Sequence, residues 1–453
     1  MQKILPKSLI DLANTCPTPL YVVGGFTRDF LAGVQPINKK SDFDICAPID
    51  VETLSDLAKA QGFSVQAVYK NTGTMKLSDK ENNDFEFTSF RSDKYVRGIH
   101  APVEVYFTDD ISLDATRRDF TCNAVYYDIK NDTFVDPLDG ITAIKEKRLT
   151  TVANAKKVFG EDGLRLMRLS RQAAQLGFSP DNECLEGAIE NAALIKDITA
   201  ERIFTELTAI LHADEKYGVK DGHYQGLLLL EKTGVLAHIL PELALGKGMQ
   251  QRPDFHNYDV LHHSLRAVLY APMHIRLAAL LHDVGKPYCT LRDGNSFDHA
   301  NEGARIAEEI LTRLKAPKKT IAHTKLLVQW HMYDFNCQTG KNKLRRFLVS
   351  HYADLEDILA VKQADFSACK DDISTAPTCM RWRSLLQKMK DENVPFTLKQ
   401  LALTGKDLLN YLIPAPFIST ILNELLLHTA LHPKDNEKDK LIPLALTFLK
   451  KMQ

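Results

Sequence analysis

The sequence feature that most constrains this chain is a pair of glycines, Gly24 and Gly25, between an apolar run and a short amphipathic segment. The apolar run at 20–23 is β-branched and aromatic, which predicts a buried strand. Residues 26–33 predict a helix whose first amide groups are available to an anion. Because glycine has no Cβ, the main chain at this turn can come close to a phosphate. The segment therefore predicts a strand, a tight turn and a phosphate-binding helix.

Two aspartates follow this helix. Asp42 and Asp44 alternate with the apolar residues Phe43 and Ile45. In a strand, residues two apart point to the same face, so both carboxylates are expected in one site. Carboxylate oxygens suit Mg²⁺, and two like charges this close repel unless a cation neutralises them. The alternation predicts a magnesium site. The alternative is a solvated strand edge after a glycine-rich turn.

A third acid lies in the run 83–88, where polar and apolar residues alternate again. Asp84, Glu86 and Thr88 share one face of the strand that this alternation predicts. One of the two acids is expected to complete a two-metal centre. Such a centre activates an attacking hydroxyl and stabilises a pyrophosphate leaving group.

Composition argues against several other classes of protein. The chain has 453 residues, of which 44% are hydrophobic, so we expect three or four globular modules. No apolar run approaches the roughly 18 residues of a membrane helix, and the N-terminus lacks a signal-peptide pattern. We therefore expect a cytoplasmic protein with no membrane partner. The eight cysteines include no C-x-x-C pair, which favours reduced thiols and disfavours a zinc ribbon.

Charge is unevenly distributed, although the formal net charge is only −1. Residues 145–175 contain eight basic residues against three acidic ones. Such a segment is suited to gripping a phosphate backbone, or it is an ordinary solvated helix face.

The hydrophobic pattern changes along the chain. The first 150 residues mix strand-like and helical patterns, and the later residues are mostly helical. A segment rich in glycine, near 246–253, predicts a linker before a histidine-rich helical part. We predict domains at 1–150, 151–245, 246–380 and 381–453.

A further motif, Arg117-Arg118-Asp119-Phe120-Thr121-Cys122-Asn123-Ala124, is family-specific. With the Gly-Gly-x-x-Arg-Asp and Asp-x-Asp elements, it resembles the class II tRNA nucleotidyltransferase and bacterial poly(A) polymerase family over about residues 18–210. The tail segments 395–401 and 405–409 are also similar to this family. The resemblance implies an α+β protein. Its N-terminal nucleotidyltransferase head has a mixed sheet with helices, and a mostly helical neck, HD domain and tail follow.

The resemblance also implies roles for individual residues. Asp42 and Asp44 are the expected Mg²⁺ ligands, with Glu86 as the third catalytic acid. The residues expected to hold the triphosphate are Gly24, Gly25, Arg28 and Asp29. Those expected to contact the incoming ribose and phosphates are Arg117, Asp119 and Asn123.

The run from Glu161 to Arg165 matches the base-reading motif of this family. Asp162, Arg165 and Arg168 are three residues apart, so we expect them on one face of a helix. A carboxylate accepts from an exocyclic amine and a guanidinium donates in a fixed fork, so such a set can accept C or A and reject U or G. From spacing alone, the alternative is a salt bridge on a neck helix.

Two positions depart from the family pattern. Thr27 stands where a small apolar residue is usual, and Gln172 follows Arg171 where phenylalanine is frequent. The span from Glu86 to Arg117 is long and charged, like the flexible loop of members that complete the terminal A. This loop favours full CCA addition over A-only addition or poly(A) synthesis.

A second set of metal-ligand candidates surrounds the adjacent His282 and Asp283, which follow an apolar run. Imidazole with carboxylate suits Mn, Fe, Co or Ni. Residues of about 255–370 resemble the HD phosphohydrolase superfamily, which implies His263, His282, Asp283 and Asp365 as ligands. His299 and His331 are candidates for a second metal or a phosphate. The alternative is a degenerate domain that only supports RNA.

These observations predict an enzyme that adds CCA to tRNA 3′ ends from CTP and ATP, as a monomer or homodimer, and whose HD domain serves 3′-end repair. The alternative of another class is a metal-dependent phosphohydrolase whose N-terminal module only binds nucleotide or RNA. A third is a non-catalytic RNA-binding protein, for which neither metal site matters.

Overall fold

A computed structural model of the chain describes residues 1–35, 42–95 and 102–452, with only the main chain of Asp42. Contacts between residues divide the chain into two units. The first contains residues 1–244 with 310–316, and the second contains residues 245–309 with those from 317 onward. The predicted division into four domains stays a prediction.

The first unit contains the strands of the fold and the helices that follow them. Up to residue 145 its elements are α1 (Lys7–Thr15), β1 (Tyr21–Val23), α2 (Gly25–Ala32), β2 (Asp42–Ala47), α3 (Val51–Ala60), β3 (Ser64–Tyr69), β4 (Thr74–Ser78), β5 (Asp84–Ser89), β6 (Arg91–Lys94), β7 (Glu104–Phe107), α4 (Ile111–Thr116), β8 (Tyr126–Asp128), β9 (Thr133–Val135) and α5 (Gly140–Lys145). They continue with β10 (Arg148–Leu149), α6 (Ala155–Glu161), α7 (Leu164–Leu176), β11 (Ser179–Pro180), α8 (Asn182–Asn191), α9 (Ala200–Leu211), α10 (Ala213–Tyr217), α11 (Gly222–Lys232), α12 (Val235–Ile239) and α13 (Pro241–Ala244).

Within the described residues, one mixed sheet has the strand order β3-β4-β5-β2-β1-β8-β9. β2 and β5 are parallel, and the remaining neighbours are antiparallel. On β2, Phe43 and Ile45 are buried in the main core of the unit, where they lie among Leu9, Leu54 and other apolar side chains. Asp44, which lies between them, therefore emerges on the opposite face of the sheet.

Local signals in the sequence explain where the helices of the first unit begin and end. Asp50 caps α3 by accepting from the Thr53 N–H at 2.8 Å. Gly33 and Gly177 end α2 and α7 in the left-handed conformation, with φ of +66° each. The predicted strand at 20–23 is observed at Tyr21–Val23, and the helix predicted at 26–33 is observed at Gly25–Ala32.

The second unit is built of helices. Its elements are α14 (Val260–Tyr270), α15 (Arg276–Leu281), α16 (Lys286–Asp293), α17 (His299–Arg313, which ends in the first unit), α18 (Lys318–Trp330), α19 (Lys341–Ser350), α20 (Leu355–Lys370), α21 (Pro377–Asp391), α22 (Gly405–Asn410), α23 (Ala415–Thr429) and α24 (Lys438–Met452). A mixed sheet with helices, followed by mostly helical structure, confirms the predicted α+β class.

A capping box lies within the first tail segment that resembles the family, and another begins one residue before the second segment. Thr397 and Gln400 form the first, and Thr404 and Asp407 form the second, at the start of α22. Across the described residues, every helix is too short or too polar to span a bilayer.

Candidate active site and a second metal-binding cluster

Two acidic side chains lie next to each other on neighbouring parallel strands. Asp44 of β2 pairs in register with Glu86 of β5, and both side chains are exposed. Adjacent strands are roughly 5 Å apart, so the two carboxylates are placed to share a cation. The main chain of Asp42 pairs in register with Asp84, whereas the side chain of Asp42 lies outside the part of the chain that the structure describes.

The glycine pair forms the turn between β1 and α2. Gly24 has a φ of +78°, a conformation that side chains disfavour. A Cβ on Gly24 would lie 2.8 Å from Oδ2 of Asp44. Position 24 therefore excludes a side chain both by its backbone conformation and by its contact with Asp44. The absence of a Cβ leaves room for the Asp44 carboxylate.

Arg28 of α2 is held in a hydrogen-bond network. Its Nε and Nη2 donate to Asp29 Oδ1 at 2.9 and 2.6 Å, and its Nη1 donates to Asn123 Oδ1 at 2.8 Å. Tyr217 donates to Asp29 Oδ2 at 2.6 Å and accepts from Arg28 Nη2 at 3.2 Å. These contacts fix the orientation of the guanidinium. Tyr217 is 188 residues from Asp29, and no sequence signal indicated it.

Asp119 is a buried carboxylate with several partners. Arg168 Nη2 lies 2.8 Å from Asp119 Oδ2, and Asn123 Nδ2 donates to Oδ1 at 3.0 Å. Burial raises the pKa of Asp119, but the charge of Arg168 and the hydrogen bond from Asn123 outweigh it and lower the pKa to about 2. The ionised carboxylate therefore holds Arg168 and Asn123 in place.

Both departures from the family pattern find hydrogen-bond partners. Gln172 donates to Asp119 Oδ2 at 3.3 Å and accepts from Asn123 Nδ2 at 3.0 Å. Thr27 is fully buried, and its hydroxyl donates to the Val22 carbonyl oxygen at 3.1 Å. Gln172 thus joins the network around Asp119, and Thr27 is satisfied inside the head.

Asp114 is a site residue that the sequence reasoning missed. It is fully buried and accepts from Arg117 Nε at 2.7 Å, Arg118 Nη2 at 3.1 Å and the Tyr126 hydroxyl at 2.6 Å. Burial raises the pKa of Asp114, but Arg118 and Arg117 outweigh it, so the pKa is about 2. Asp114 therefore positions Arg117. The spacing of an acid three and four residues before two arginines was the available signal.

The prediction that Asp162, Arg165 and Arg168 share one helical face is wrong. Asp162 is extended and lies between α6 and α7, where its Oδ1 accepts from the Leu164 N–H at 2.8 Å. At Gly163 a Cβ would lie 2.5 Å from the carbonyl oxygen of residue 194. Two local features explain the break between α6 and α7. The Asp162 side chain accepts a hydrogen bond from the nearby main chain, and the close approach at position 163 requires glycine.

Arg165 itself is nearly buried, with 5% of its surface exposed. It donates from Nη1 to the Val158 carbonyl oxygen at 2.9 Å and to Glu161 at 3.0 Å. Nη2 donates to the Arg117 carbonyl oxygen at 2.7 Å. The guanidinium also lies 5.5 Å from the centre of the Tyr95 ring. Arg165 is therefore tied to the neck, to the 117–123 motif and to the loop that follows β6.

A cavity of about 470 Å³ connects these groups within the first unit. Asp44 and Glu86 line it together with both glycines. Its basic lining residues are Arg28, Arg91, Arg117, Arg118, Arg165, Arg168, Arg171 and Lys216, and its acidic ones are Asp44, Glu86, Asp93, Asp119 and Asp162. Such an excess of positive charge suits a polyanion such as a triphosphate. Of the predicted nucleotide-binding residues, Asp29 alone does not line it; Asp29 bonds Arg28 instead.

The basic segment 145–175 is not a free cationic surface. Lys156 pairs with Glu190 at 2.8 Å, Arg171 with Glu206 at 2.6 Å and Arg148 with Glu146 at 3.2 Å. Its remaining arginines line the cavity. The charge of the segment is therefore directed mainly to internal pairs and to the candidate active site.

A second cluster lies in the second unit around Asp283. His263 Nε2 is 2.9 Å from Asp365 Oδ1 and 3.2 Å from His282 Nε2. His282 Nε2 is 3.3 Å from Asp283 Oδ2. On the other side of the same carboxylate, His299 Nε2 is 3.3 Å from Asp283 Oδ1 and from His331 Nε2. The structure thus brings all the predicted HD residues together, with one oxygen of Asp283 facing each group.

Three of these imidazoles are oriented by main-chain carbonyl groups. Nδ1 of His282, His299 and His331 lies 2.7, 2.6 and 2.6 Å from the carbonyl oxygens of residues 279, 296 and 328. A carbonyl oxygen only accepts, so each Nδ1 carries a proton, and Nε2 is the nitrogen that faces the cluster and can bind a metal once it is deprotonated. Buried imidazole nitrogens and carboxylate oxygens at these distances fit divalent transition metals.

Three regions of the chain match described families. Residues 20–150 match the poly A polymerase head domain, residues 177–245 match the probable RNA and SrmB-binding site of polymerase A, and residues 260–359 match the HD domain. A crystal structure of the Bacillus stearothermophilus CCA-adding enzyme in complex with CTP superposes with a TM-score of 0.67 and 23% identity, over 99% of each chain. This likeness shows the fold.

Relatives of known activity span different lengths. The CCA-adding enzyme of Lactococcus lactis is 34% identical over 49% of this chain and 52% of its own length, so this match covers about half of that relative. The A-adding tRNA nucleotidyltransferase of Deinococcus radiodurans is 28% identical over 90% of this chain and 91% of its own. The CC-adding tRNA nucleotidyltransferase of Thermus thermophilus is 30% identical over 79% and 78%. On these matches, the chain belongs to the tRNA nucleotidyltransferase and poly(A) polymerase family.

Proposed function

We propose that this protein is a template-independent nucleotidyltransferase that builds CCA at tRNA 3′ ends from CTP and ATP. The observation that carries the proposal is the pair Asp44 and Glu86, adjacent on parallel strands at the edge of a cation-lined cavity. Nucleotidyl transfer requires acidic residues that hold metal ions beside a pocket for the triphosphate.

Mg²⁺ fits the acidic pair. Asp44 and Glu86 are exposed carboxylates, and Lys76, whose Nζ lies 3.9 Å from Glu86, is itself exposed. A surface ion pair at that distance contributes little, so Glu86 keeps a negative charge that a metal ion can neutralise. Asp42, Asp44 and Glu86 would hold Mg²⁺, which supplies charge neutralisation and lowers the pKa of a bound hydroxyl.

The other residues bind and orient. Gly24 and Gly25 let the main chain approach the triphosphate, and Arg28 neutralises part of its charge. Arg117 and Arg168, held by Asp114 and Asp119, would contact the ribose and phosphates. The RNA 3′-oxygen attacks the α-phosphorus in line, and the α–β bridging bond breaks. Pyrophosphate leaves with the electron pair, and the hydroxyl proton passes to solvent or a carboxylate.

Base selection is assigned to Asp162 and Arg165. Asp162 lies in the connection before α7 and Arg165 lies in α7, and both line the cavity together with Arg168. A fixed carboxylate accepts from the exocyclic amine and a guanidinium donates to the ring nitrogen, and both C and A carry these two groups. Arg165→Ala is expected to lower CTP and ATP use and to raise relative incorporation of UTP and GTP. Unchanged nucleotide preference would remove this assignment.

The length of the growing 3′ end distinguishes the activities within the family. Full CCA addition is favoured by the long span between Glu86 and Arg117, of which β6 and β7 form an antiparallel pair; Val96, Arg97 and Gly98 of that span lie outside the described residues. The alternatives are A-only addition and poly(A) synthesis.

The test uses tRNA transcripts ending at the discriminator base, after C and after CC, with CTP and ATP supplied separately and together. Growth by CCA followed by a stop is the expected result. A added only to the CC-ended transcript would mean an A-adding specialist, and unlimited A would mean a poly(A) polymerase. No incorporation by the wild-type protein would overturn the transferase proposal.

A second activity, metal-dependent phosphohydrolysis, is proposed for the HD cluster. The observation that favours it is the set of Nε2 atoms on both sides of Asp283, together with Lys286 Nζ at 2.6 Å from Asp283 Oδ2. This activity would trim phosphate or cyclic phosphate ends before CCA is rebuilt. The test is release of phosphate from RNA with a 3′-phosphate or a 2′,3′-cyclic phosphate, with added Mn, Fe, Co or Ni. Equal activity of wild type and His282→Ala would exclude it.

A further inference from the structure

A second, larger cavity meets the cation-lined one at the acidic pair. It has a volume of about 1490 Å³ and is also formed within the first unit. The residues that line both cavities are Gly25, Asp44, Glu86, Gln175 and Lys216. The metal-binding acids thus lie where two spaces join, as a reaction between two substrates requires. Of the two neck residues at this junction, Lys216 is the charged one.

Lys216 is held at the junction by its neighbours. It belongs to α10, and the next residue, Tyr217, bonds Asp29 and Arg28 of the head. Lys216 Nζ lies 5.3 Å from the centre of the Tyr217 ring. Gly218, with a φ of +69°, ends the helix and donates to the carbonyl oxygen of Asp214 at 2.9 Å. The position of α10 is therefore fixed relative to the triphosphate-binding helix α2, while the lysine side chain stays exposed.

The two cavities differ in charge. The smaller one has eight basic lining residues. In the larger one, Lys76 and Lys216 face the acidic lining residues Asp29, Asp44, Asp84, Glu86 and Glu215. The arginine-rich space suits the triphosphate, so the larger space is left for the RNA 3′ end. A polyanion that enters an acidic space needs a cation near the reacting end.

We infer that Lys216 binds the phosphodiester nearest the 3′ end of the RNA acceptor. The inference rests on the proposed function, because it assigns the second substrate of the same reaction. Lysine is suited to this role because its ammonium group is a flexible point charge with three donors. It binds a phosphate group whatever the RNA sequence is. In this position it would hold the RNA 3′-hydroxyl beside Asp44 and Glu86. Lys216 lines both cavities, and because seven arginines in the smaller cavity remain for the triphosphate, Lys216 is assigned to the acceptor.

The test compares Lys216→Ala and Lys216→Arg with Lys220→Ala, a nearby exposed lysine that lines neither cavity. Initial rates of CMP addition are measured while tRNA and CTP are varied separately. Lys216→Ala is expected to raise the KM for tRNA roughly tenfold, the loss of one charge-assisted contact, and to leave the KM for CTP unchanged. Lys216→Arg is expected to retain most of the affinity, and Lys220→Ala to behave as wild type.

Salt dependence supplies a readout that a structural defect would not produce. A lost phosphate contact lowers the slope of log Kd for tRNA against log salt by about 0.7 to 1. An unchanged tRNA KM and slope in Lys216→Ala, or a rise in the KM for CTP alone, would overturn the inference while leaving the proposed function intact. Loss of the proposed function itself would instead show as an inactive wild-type protein.

Discussion

Gly24 and Asp44 are in such close approach that a single added methyl group on the glycine would lie 2.8 Å from the aspartate Oδ2. Gly24 belongs to the turn before α2 and Asp44 to β2, so this turn and this strand are in direct contact. The position of the Asp44 carboxylate therefore depends on the absence of a side chain at Gly24.

Gly24→Ala is expected to lower kcat/KM for CMP addition by at least about 100-fold, because it displaces a carboxylate that acts in the transition state. Gly33→Ala is the comparison variant: Gly33 is left-handed, which costs a side chain roughly 1–2 kcal/mol, and no atom lies within 4 Å of its added Cβ. Gly24, with φ +78° and ψ −140°, carries a larger backbone cost, so the unfolding measurement is needed to separate strain from displacement of Asp44. Steady-state kinetics and urea unfolding of both variants check this. Equal losses of activity in the two would show that backbone strain alone matters.

Glu86, rather than Asp84, is expected to be the third acid. Glu86 lines both cavities and is in register with Asp44 of β2. Asp84 lines only the larger of the two cavities and is in register with Asp42. Glu86→Gln should reduce CMP addition at saturating Mg²⁺ at least about 100-fold, and Asp84→Asn should reduce it less than tenfold. The reverse order would move the metal site toward the start of β5.

Asp114 is expected to make stability depend on acid pH. Its pKa is about 2 in the folded chain and 3.8 as the ordinary value, so the unfolded state takes up the proton first as pH falls. Its stabilisation is therefore complete above pH 4 and is lost between pH 4 and pH 2, by roughly 2 kcal/mol. Urea unfolding across this range should show a steeper loss for wild type than for Asp114→Asn. Parallel curves for the two proteins would contradict this.

Metal content is expected to separate the two sides of Asp283. If each carboxylate oxygen serves one ion, the purified protein binds two transition-metal ions per chain after loading and dialysis. His331→Ala should then retain one ion and Asp283→Ala none, as measured by elemental analysis. His274→Ala, an exposed histidine that bonds Asp357, is the control and should retain both. One ion per chain in wild type, lost in His263→Ala and kept in His331→Ala, would limit the site to a single metal.

Alternation of polar and apolar residues predicted the acidic strands well. Phe43 and Ile45 face the core, and this leaves Asp44 on the other face, beside Glu86. A period of two follows from strand geometry alone, so the face of each residue is readable without the fold. The apolar run before His282 and Asp283 likewise indicated a buried pair, and the family resemblance indicated the residues that the structure brings together around it.

Other features depend on contacts between distant parts of the chain. The interruption before α7 arises where Gly163 packs against residue 194, and it removes Asp162 from the helix on which helical spacing had placed it. The bond between Tyr217 and Asp29 joins two segments with no shared local pattern. Periodicity predicts which face of an element is buried but not which element packs against it. The two cavities and the position of Lys216 between them are therefore visible only in the tertiary structure.

The measurement that tests the central claim most directly is CMP addition by Asp44→Asn on a tRNA transcript that ends at the discriminator base, followed in single turnover. Asparagine keeps the size of the side chain and removes the charge that holds the metal. We expect wild type to extend the transcript and Asp44→Asn to lose at least about 1000-fold in rate, with tRNA binding unchanged within threefold. Extension by Asp44→Asn at close to the wild-type rate would contradict the assignment of the Asp44 and Glu86 pair as the transfer centre.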